Sequence, residues 1–267
     1  MNLATAALAP LLAEDEPPAF EQIAASTASP FLLICDHASN FVPRSLQGLG
    51  LEPAQLAQHI AYDIGAAAMT RRVAEQLSAP AVLSHFSRLV IDPNRPVGAP
   101  TSIPEVSDRV SVPGNQGLTE AEKEVRAAAC FRPYHQAVAA AIQQALGRGR
   151  LPIVVSLHSF TPVMEGYQRP WEIGVLWDQD DRLAKPMLAD LAARGMAVGD
   201  NLPYSGRSPY GFTMGHHASS LGLPQVLLEV RQDLIDTAAG AARWGDLIAE
   251  VLLKRAHDPA LTTAFEG

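Results

Sequence analysis

Three short apolar runs in this sequence each end in side chains that can bind a metal or move a proton. The runs, with the residues that follow them, are 31–35 with Asp36 and His37, 153–157 with His158, and 225–228 with Glu229 and Arg231. Runs this short and this rich in Leu, Ile and Val are typical of buried strands in a largely parallel sheet. Ligands of open α/β sheets bind at the carboxyl ends of the strands. The spacing therefore predicts a single site, most readily a metal site, at one edge of the sheet.

The histidines His37 and His158 are the core of the predicted metal site. Catalytic zinc sites typically use three protein ligands from His, Asp or Glu and leave one position open to water. The third ligand has two candidates. Asp63 lies four residues after His59 on a predicted helix, so it either contacts His59 or turns inward to bind the metal. Asp36 either binds the metal itself or orients one of the histidines.

Glu229 ends the last core strand, and Arg231 follows it by two residues on the same strand face. A carboxylate at a dry strand end beside a metal is suited to act as the general base for water. Such assistance is typically worth about 10²–10⁴-fold in rate. The structural alternative is a buried salt bridge from Glu229 to Arg231 or to Arg88.

A further group of residues is suited to bind an anion. Arg88 and the run 92–95, which contains Asn94 and Arg95, can grip a carboxylate, because arginine presents a planar fork of donors and asparagine adds an amide. The alternative for this run is a surface turn, which the neighbouring prolines favour. Tyr204 lies in a later loop and is expected to cap the pocket.

The elements that position these residues follow from hydrophobic periodicity and turn signals. Strands or extended stretches are predicted at 31–35, 81–84, 88–92, 153–157, 173–177, 196–199 and 225–230. Helices are predicted at 54–77, 119–146, 181–194 and 233–254, and loops at 93–117 and 201–210. The second helix has a capping box at Thr119 and Glu122 and a kink or break at Pro133. This alternation indicates a three-layer α/β sandwich.

Length and composition limit the class of protein. A chain of 267 residues that is 48% hydrophobic can bury one large core, so we expect a single domain over 1–267 with a loosely ordered segment at about 1–20. The net charge of −8 argues against nucleic acid or an anionic membrane as the main partner. No apolar run approaches the roughly 20 residues that span a membrane, and the N-terminus lacks the basic start of a signal peptide. Cys35 and Cys130 form no disulfide pattern, which favours a reduced, cytoplasmic protein.

Seven segments carry a resemblance to a known family, in order from about residue 30 to residue 250. They are Cys-Asp-His-Ala-Ser-Asn (35–40), Ala-Tyr-Asp-Ile-Gly-Ala (61–66), Ser-Arg-Leu-Val-Ile-Asp-Pro-Asn-Arg (87–95), Arg-Pro-Tyr-His (132–135), Leu-His-Ser-Phe (157–160), Asn-Leu-Pro-Tyr-Ser-Gly (201–206) and Gly-Leu-Pro-Gln-Val-Leu-Leu-Glu-Val-Arg-Gln-Asp-Leu-Ile (222–235). This ordered set resembles the N-formylglutamate amidohydrolase family, whose architecture is similar to that of zinc carboxypeptidases.

The resemblance implies a three-layer α/β/α sandwich with a mixed, mostly parallel sheet, and a site for one zinc ion. The residues it implies are His37 and His158 for zinc, Glu229 for catalysis, and Asn94 with Arg95 for the substrate carboxylate. Carboxypeptidases place a glutamate three residues after the first ligand histidine, where this chain has Asn40. We therefore expect Asp63 to complete the zinc shell.

The function expected from these features is zinc-dependent hydrolysis of the amide bond of a small anionic N-acyl amino acid. The acyl group is expected to be formyl, as in N-formylglutamate, a substrate of amino-acid catabolism. The expected substrate-binding residues are Arg88, Asn94, Arg95, Arg231 and Tyr204. Two alternatives stay open, a non-catalytic protein that binds small acids and a carboxypeptidase-like deacylase that acts on a larger acyl-amino acid. The sequence does not indicate an oligomeric state.

Overall fold

The structure is a computed structural model that describes residues 10–24, 29–207 and 211–266. Its strands are β1 Phe20–Ile23, β2 Phe31–Cys35, β3 Ala81–Ser84, β4 Val106–Ser107, β5 Val110–Ser111, β6 Ile153–Phe160, β7 Val163–Met164, β8 Tyr167–Gln168, β9 Ile173–Leu176, β10 Val198–Asp200 and β11 Gln225–Arg231. Its α-helices are α1 Pro53–Leu56, α2 Ala66–Leu77, α3 Glu120–Arg126, α4 Arg132–Gly147, α5 Ala184–Ala193, α6 Thr213–His217 and α7 Ala238–Leu253. Within these described ranges no helix is long and apolar enough to cross a membrane.

A seven-stranded sheet in the order β1-β3-β2-β6-β11-β9-β10 forms the centre of the fold. The neighbours from β3 to β11 run parallel, as do β9 and β10. The antiparallel pairs are β1 with β3 and β11 with β9. The expected mixed, mostly parallel sheet is therefore confirmed. β11 is the last strand in the sequence, yet it lies between β6 and β9 inside the sheet.

Alternate side chains of the central strands belong to two apolar clusters, one on each face of the sheet. Phe31 and Leu33 of β2 pack with residues of α2, α5 and α7, whereas Leu32 and Ile34 pack with residues of α4. The alternation follows from the two-residue period of side chains along a strand. The two helical layers and the sheet between them confirm the predicted three-layer α/β/α sandwich.

The predicted helix at 54–77 is wrong in its first half. It is divided into α1 and α2, and residues 57–65 form turns between them. Gly65 explains the division, because its φ of +80° is left-handed and ends any continuous helix before α2 begins. Asp63 is fixed within these turns by its backbone N–H, which donates to the carbonyl of His37 at 2.9 Å.

The predicted extended stretch at 88–92 is also wrong, because these residues form buried turns. Leu89, Val90 and Ile91 are buried as a core strand would be. Their carbonyls, however, bond to side chains: Asn115 Nδ2 donates to Leu89 at 2.9 Å, and an Arg126 guanidinium nitrogen donates to Val90 at 3.1 Å. Burial alone therefore did not distinguish a strand from a turn held by side chains.

The N-terminal segment expected to be loose at about 1–20 is ordered where the structure describes it. Leu11 and Ala19 are buried in the second cluster, and the Ser45 hydroxyl donates to the Leu11 carbonyl at 2.7 Å. The segment then enters β1, which pairs with β3. Residues 1–9, like residues 208–210 of the predicted loop at 201–210, lie outside the described ranges.

The remaining helices agree with the predicted positions except at their ends. The capping box at Thr119 is present, with the Glu122 N–H donating to the Thr119 hydroxyl at 3.3 Å. Near Pro133 the helix is interrupted rather than broken, because a π-helix at Ala127–Phe131 joins α3 to α4. α7 begins at Ala238 instead of 233, since Gln232–Leu234 forms a separate 3₁₀ turn.

Candidate active site

β6 and β11 bring two of the predicted site residues side by side. The strands are parallel, and Glu229 lies opposite His158 in their register. Both residues lie on the sheet face opposite to Leu157 and Leu228, which pack with the α2 and α7 layer. His37 lies two residues after the end of β2, the other parallel neighbour of β6, and is therefore at the same end of the sheet.

His37, Asp63 and His158 form a buried group whose potential ligand atoms all lie within 4.8 Å of one another. Asp63 Oδ2 is 2.8 Å from His158 Nδ1 and 3.4 Å from His37 Nδ1. The turns before α2 bring Asp63 to the two histidines, although it is separated from each of them in sequence. We call these three residues the metal-ligand group.

The second ring nitrogen of each histidine contacts an oxygen outside this group. His37 Nε2 lies 2.8 Å from Asp92 Oδ1. His158 Nε2 lies 3.0 Å from the Ser156 hydroxyl and 3.3 Å from Asp36 Oδ2. Such contacts fix the tautomer and orientation of a metal-binding histidine. With both Nε2 atoms held in this way, both Nδ1 atoms are directed toward Asp63.

Two hydroxyl donors hold one oxygen of Asp36, and its other oxygen lies 3.3 Å from His158 Nε2. Tyr134 donates to its Oδ1 at 2.7 Å, and Thr213 donates to the same oxygen at 2.8 Å. Of the two roles considered for Asp36, this position corresponds to orienting His158 rather than to binding the metal.

The metal-ligand group has the donor set of a metal site. His37 Nδ1 is buried and has no hydrogen-bond partner among the described residues, an arrangement that costs free energy unless something binds there. Two imidazole nitrogens and one carboxylate oxygen are a common donor set of catalytic zinc, which leaves a further position open. Arg88 donates to Oδ1 of Asp63, so that Oδ2 remains directed toward the histidines.

Glu229 is buried beside the metal-ligand group and lacks a partner on one oxygen. Its Oε2 has no hydrogen-bond partner in the described part of the chain, and no salt bridge joins it to Arg88 or Arg231, both of which are described. Burial raises the pKa of Glu229 to about 7, while the nearby His158 opposes this increase. A carboxyl group with a pKa near neutrality can both accept and return a proton.

Neighbouring charges also shift the pKa values of Asp63 and His158. Burial opposes ionisation of Asp63, but Arg88, His37 and His158 together hold the pKa of this carboxyl well below its usual range. Burial likewise acts to lower the pKa of His158, but contacts with Asp36 and Asp63 outweigh it and raise the value to about 10. The carboxylates therefore favour positive charge at His158, and a metal ion that binds there has to displace the proton on this histidine.

Four of the five predicted substrate-binding residues line one cavity of about 950 Å³ together with the metal-ligand group and Glu229. These four are Arg88, Asn94, Arg95 and Tyr204. Asn94 Oδ1 accepts hydrogen bonds from the backbone N–H groups of Phe212 and Thr213, at 2.8 and 3.0 Å. Its amide nitrogen is therefore the end that remains to donate to a ligand.

Arg231, the fifth predicted substrate-binding residue, does not line this cavity. Its Nε donates to Asp233 at 2.7 Å, and Nη1 donates to the carbonyl of Trp171 at 3.3 Å. The suggested contact between His59 and Asp63 is likewise not formed. His59 Nε2 instead lies 3.0 Å from Asp108, because residues 57–65 are not helical.

Several supporting residues were not identified from the sequence. Asp92 was assigned to an anion-binding turn, and its position directly before Pro93 gave no sign that it would contact His37. Tyr134, whose hydroxyl donates to Asp36 Oδ1 at 2.7 Å, belongs only to the family motif at 132–135. His135 Nδ1 lies 2.8 Å from His217 Nε2, and its own Nε2 lies 2.9 Å from the Pro93 carbonyl. The motif at 132–135 was the only signal for either residue.

Comparison with known proteins gives a consistent family and fold. A family model described as N-formylglutamate amidohydrolase matches residues 29–236. The structure of a gene product from Agrobacterium tumefaciens has 38% identity and a TM-score of 0.88, with 91% of this chain and 97% of that chain covered. An N-formylglutamate amidohydrolase from Ralstonia eutropha has 20% identity and a TM-score of 0.68, with 90% and 98% covered, which supports the fold alone. Among the curated proteins, none matches this sequence.

Proposed function

The chain belongs to the N-formylglutamate amidohydrolase family, and from this premise we propose that it hydrolyses the amide bond of a small N-acyl amino acid in a metal-dependent reaction. N-formylglutamate is the reference substrate that the family name provides. The observation that carries the proposal is the metal-ligand group of His37, Asp63 and His158, which lies in one cavity with Glu229, Arg88 and Arg95.

Zinc is the proposed metal, and His37 Nδ1, Asp63 Oδ2 and His158 Nδ1 would hold it. When bound, it would act as a Lewis acid that polarises the scissile carbonyl and acidifies a water molecule. Asp92 and Asp36 would keep the two histidines in the required tautomer. Arg88 would keep Asp63 ionised and directed toward the ion.

Glu229 is the proposed general base and, in the second half of the reaction, the general acid. It accepts a proton as the oxygen of water adds to the amide carbon, and it returns that proton to the nitrogen as the carbon–nitrogen bond breaks. The products are the free carboxylic acid and the free amino acid, so that one water is consumed for each bond cleaved. The pKa of about 7 allows Glu229 to hold or release this proton near neutral pH.

Asn94 and Arg95, with Arg88 beside them, are proposed to bind the carboxylate of the substrate. Arg95 is itself positioned by its Nη1, which donates to the Asn94 carbonyl at 2.8 Å. A guanidinium and an amide donor side by side match the two oxygens of a carboxylate. Tyr204 lines the same cavity and carries a hydroxyl that accepts from Arg169 at 3.2 Å.

The test is formate release from N-formyl amino acids by the purified protein with and without added zinc. We expect turnover that requires stoichiometric metal and that a chelator abolishes. Binding of these compounds without any turnover would identify the protein instead as a non-catalytic small-acid binding protein. Turnover that persists after complete metal removal would overturn the metal-dependent mechanism.

A further inference from the structure

The cavity that contains the metal-ligand group is also lined by apolar side chains beyond Glu229. We call the part of the cavity lined by Leu176, Met214, Leu223, Leu227 and Phe265 the apolar arm, and the charged side chains of Asp178, Asp180 and Arg207 line other parts of the same cavity. The whole cavity measures about 950 Å³, which is near the upper end of the roughly 300–1,000 Å³ that sites for drug-sized ligands occupy. A formyl group of one carbon leaves such a compartment unused.

The floor of the apolar arm is built from the same sheet face that carries Glu229. Leu227 precedes Glu229 by two residues in β11 and therefore lies on the same face. Leu227 pairs with Leu176 of the antiparallel neighbour β9, so that two leucines adjoin across the strand pair. β6 and β9 are two strand spacings apart, about 10 Å, and Leu176 is also displaced along the strand by two residues from the level of His158.

The sheet order gives the arm a definite side relative to the metal-ligand group. The order β3-β2-β6-β11-β9 places β3, which precedes the segment with Arg88, Asn94 and Arg95, on one side of the two histidines, and Asn94 connects this segment to α6 by accepting from the Thr213 N–H at 3.0 Å. The leucines of the arm lie on the other side, over β11 and β9. A substrate directs its acyl group toward the apolar arm if its amide carbonyl lies between these two sides and its carboxylate contacts the arginines.

We propose that the apolar arm binds the acyl chain of the substrate, so that the protein prefers amino acids carrying a linear apolar acyl group of several carbons over their N-formyl counterparts. The inference rests on the proposed amide hydrolysis and specifies its substrate class. The chemical reason is that each methylene transferred from water to an apolar wall strengthens binding. Formyl and acetyl groups are too short to reach Leu227 and Leu176 together.

The test measures binding to the zinc-loaded Glu229→Gln variant, which separates affinity from turnover. Isothermal titration calorimetry is performed with N-formyl-, N-acetyl-, N-butanoyl- and N-hexanoylglutamate. Because full burial of a methylene corresponds to about fourfold in affinity, we expect N-hexanoylglutamate to bind at least tenfold more tightly than N-acetylglutamate. An affinity that stays constant or falls along this series would overturn the proposal.

Two substitutions on opposite walls test the location of the chain. Leu227→Phe and Met214→Trp, each made in the Glu229→Gln background, should weaken N-hexanoylglutamate at least tenfold and leave N-formylglutamate within about twofold. Leu221→Phe is the matched control, because Leu221 is 45% exposed and does not line the cavity. Having two blocking variants keeps the test valid if one of them fails to fold. Unchanged hexanoyl affinity in a folded blocking variant would contradict the assignment.

Two further comparisons separate the possible failures. If N-formylnorleucine gains affinity over N-formylalanine while the acyl series does not, the arm holds the amino-acid side chain and the proposal is wrong. If the wild-type protein cleaves N-formyl substrates but affinity does not change with acyl length, the proposed hydrolysis is supported and the proposal for the apolar arm is wrong. If affinity rises with acyl length but no substrate is cleaved, the arm is supported and the proposed hydrolysis fails.

Discussion

At the scale of single residues, the candidate active site depends on which atom of each side chain is already engaged. Both histidines have one ring nitrogen near an oxygen, and Arg88 bonds to one oxygen of Asp63. The two Nδ1 atoms and Asp63 Oδ2 then face one another, and His158 Nδ1 lies 2.8 Å from that oxygen. All three residues were predicted from the sequence, and Asp36 was given two roles, metal ligand or orienting partner of a histidine, but the contacts of Asp36 with His158 and of Asp92 with His37 were not. Those contacts depend on turns that are fixed only in the folded chain.

The first prediction concerns Glu229→Gln. We expect kcat for amide hydrolysis to fall at least about 10²-fold, because general-base assistance is lost. Zinc content and thermal stability should stay unchanged, since burial already raises the pKa of Glu229 to about 7 and a neutral isostere fits the same space. Steady-state kinetics and metal analysis measure both, with the exposed Glu75→Gln as control. Activity within threefold of wild type would refute the role of Glu229.

The second prediction distinguishes Asp63 from Asp36 as the third metal ligand. Asp63→Asn removes a ligand and should weaken zinc binding at least about 100-fold, whereas Asp36→Asn removes an orienting contact and should weaken it about 10–100-fold. Competition with a chromophoric chelator gives both affinities, and circular dichroism shows whether both variants fold. The reverse order of effects would assign the ligand to Asp36.

At the scale of secondary-structure elements, the segments that carry chemistry are those that the sequence described least well. β2, β6 and β11 begin where expected, because their apolar runs are short and continuous. The turns at 57–65 and 88–92 were predicted as a helix and a strand. Both segments contain buried apolar residues, but side chains bond to their carbonyls: Asn115 and Arg126 donate to carbonyls within 88–92, and the Ser87 hydroxyl donates to the Ala61 carbonyl at 2.8 Å. Such long-range partners leave no local signal.

The third prediction tests the turn that positions Asp63. A Cβ atom on Gly65 would lie 2.2 Å from the Ile235 carbonyl oxygen, so Gly65→Ala combines a collision with an unfavourable φ. We expect a loss of at least about 3 kcal/mol in the free energy of unfolding. Gly195→Ala is the control, because Gly195 has a φ of +79° but no atom within 4 Å of that Cβ. It should lose only about 1–2 kcal/mol.

Urea unfolding of both alanine variants provides these values, and zinc titration of Gly65→Ala adds a second measurement. Zinc affinity should fall with the displacement of Asp63, whereas Gly195→Ala should leave it unchanged. Equal losses of stability in the two variants would show that the contact with Ile235 contributes nothing beyond the backbone conformation.

At the scale of the whole molecule, the chain folds so that four distant segments meet at one edge of a sheet. The class of sandwich was predictable because strand and helix patterns alternate. The order of the strands was not, since pairing depends on contacts far apart in sequence. Behind the site, α4 and α6 are joined by the His135–His217 contact at 2.8 Å, which also reaches the Pro93 carbonyl through His135. This contact links global stability to pH.

The fourth prediction follows from the burial of that histidine pair. Burial, together with His135 and His216, lowers the pKa of His217 from 6.5 to about 4. The His217 imidazole therefore binds a proton more readily in the unfolded chain than in the folded one. As a result, the contribution of His217 to the free energy of unfolding is fully present above pH 6.5 and is lost as the pH falls toward 4. Allowing for partial solvent screening, this contribution is about 2 kcal/mol.

Urea unfolding of the metal-free protein at pH 7 and at pH 4.5 tests this prediction. Between pH 7 and pH 4.5, the free energy of unfolding should fall by about 2 kcal/mol less in His217→Gln than in wild type, since the variant has no imidazole to protonate at this position. The exposed His257→Gln serves as the control and should follow the wild-type curve. Parallel curves for wild type and His217→Gln would contradict the linkage.

The position of β11 has a consequence for how the chain is made. β9 and β10 leave the ribosome before β11, yet β11 separates β9 from β6 in the finished sheet. Until it arrives, β6 and β9 each present an open edge, and unpaired strand edges promote aggregation between incomplete chains. The strand that closes this gap also carries Glu229. A chain that stops before residue 225 therefore has unpaired strand edges that promote aggregation, and it also lacks the proposed base. Completion of the sheet and completion of the active site thus depend on the same strand.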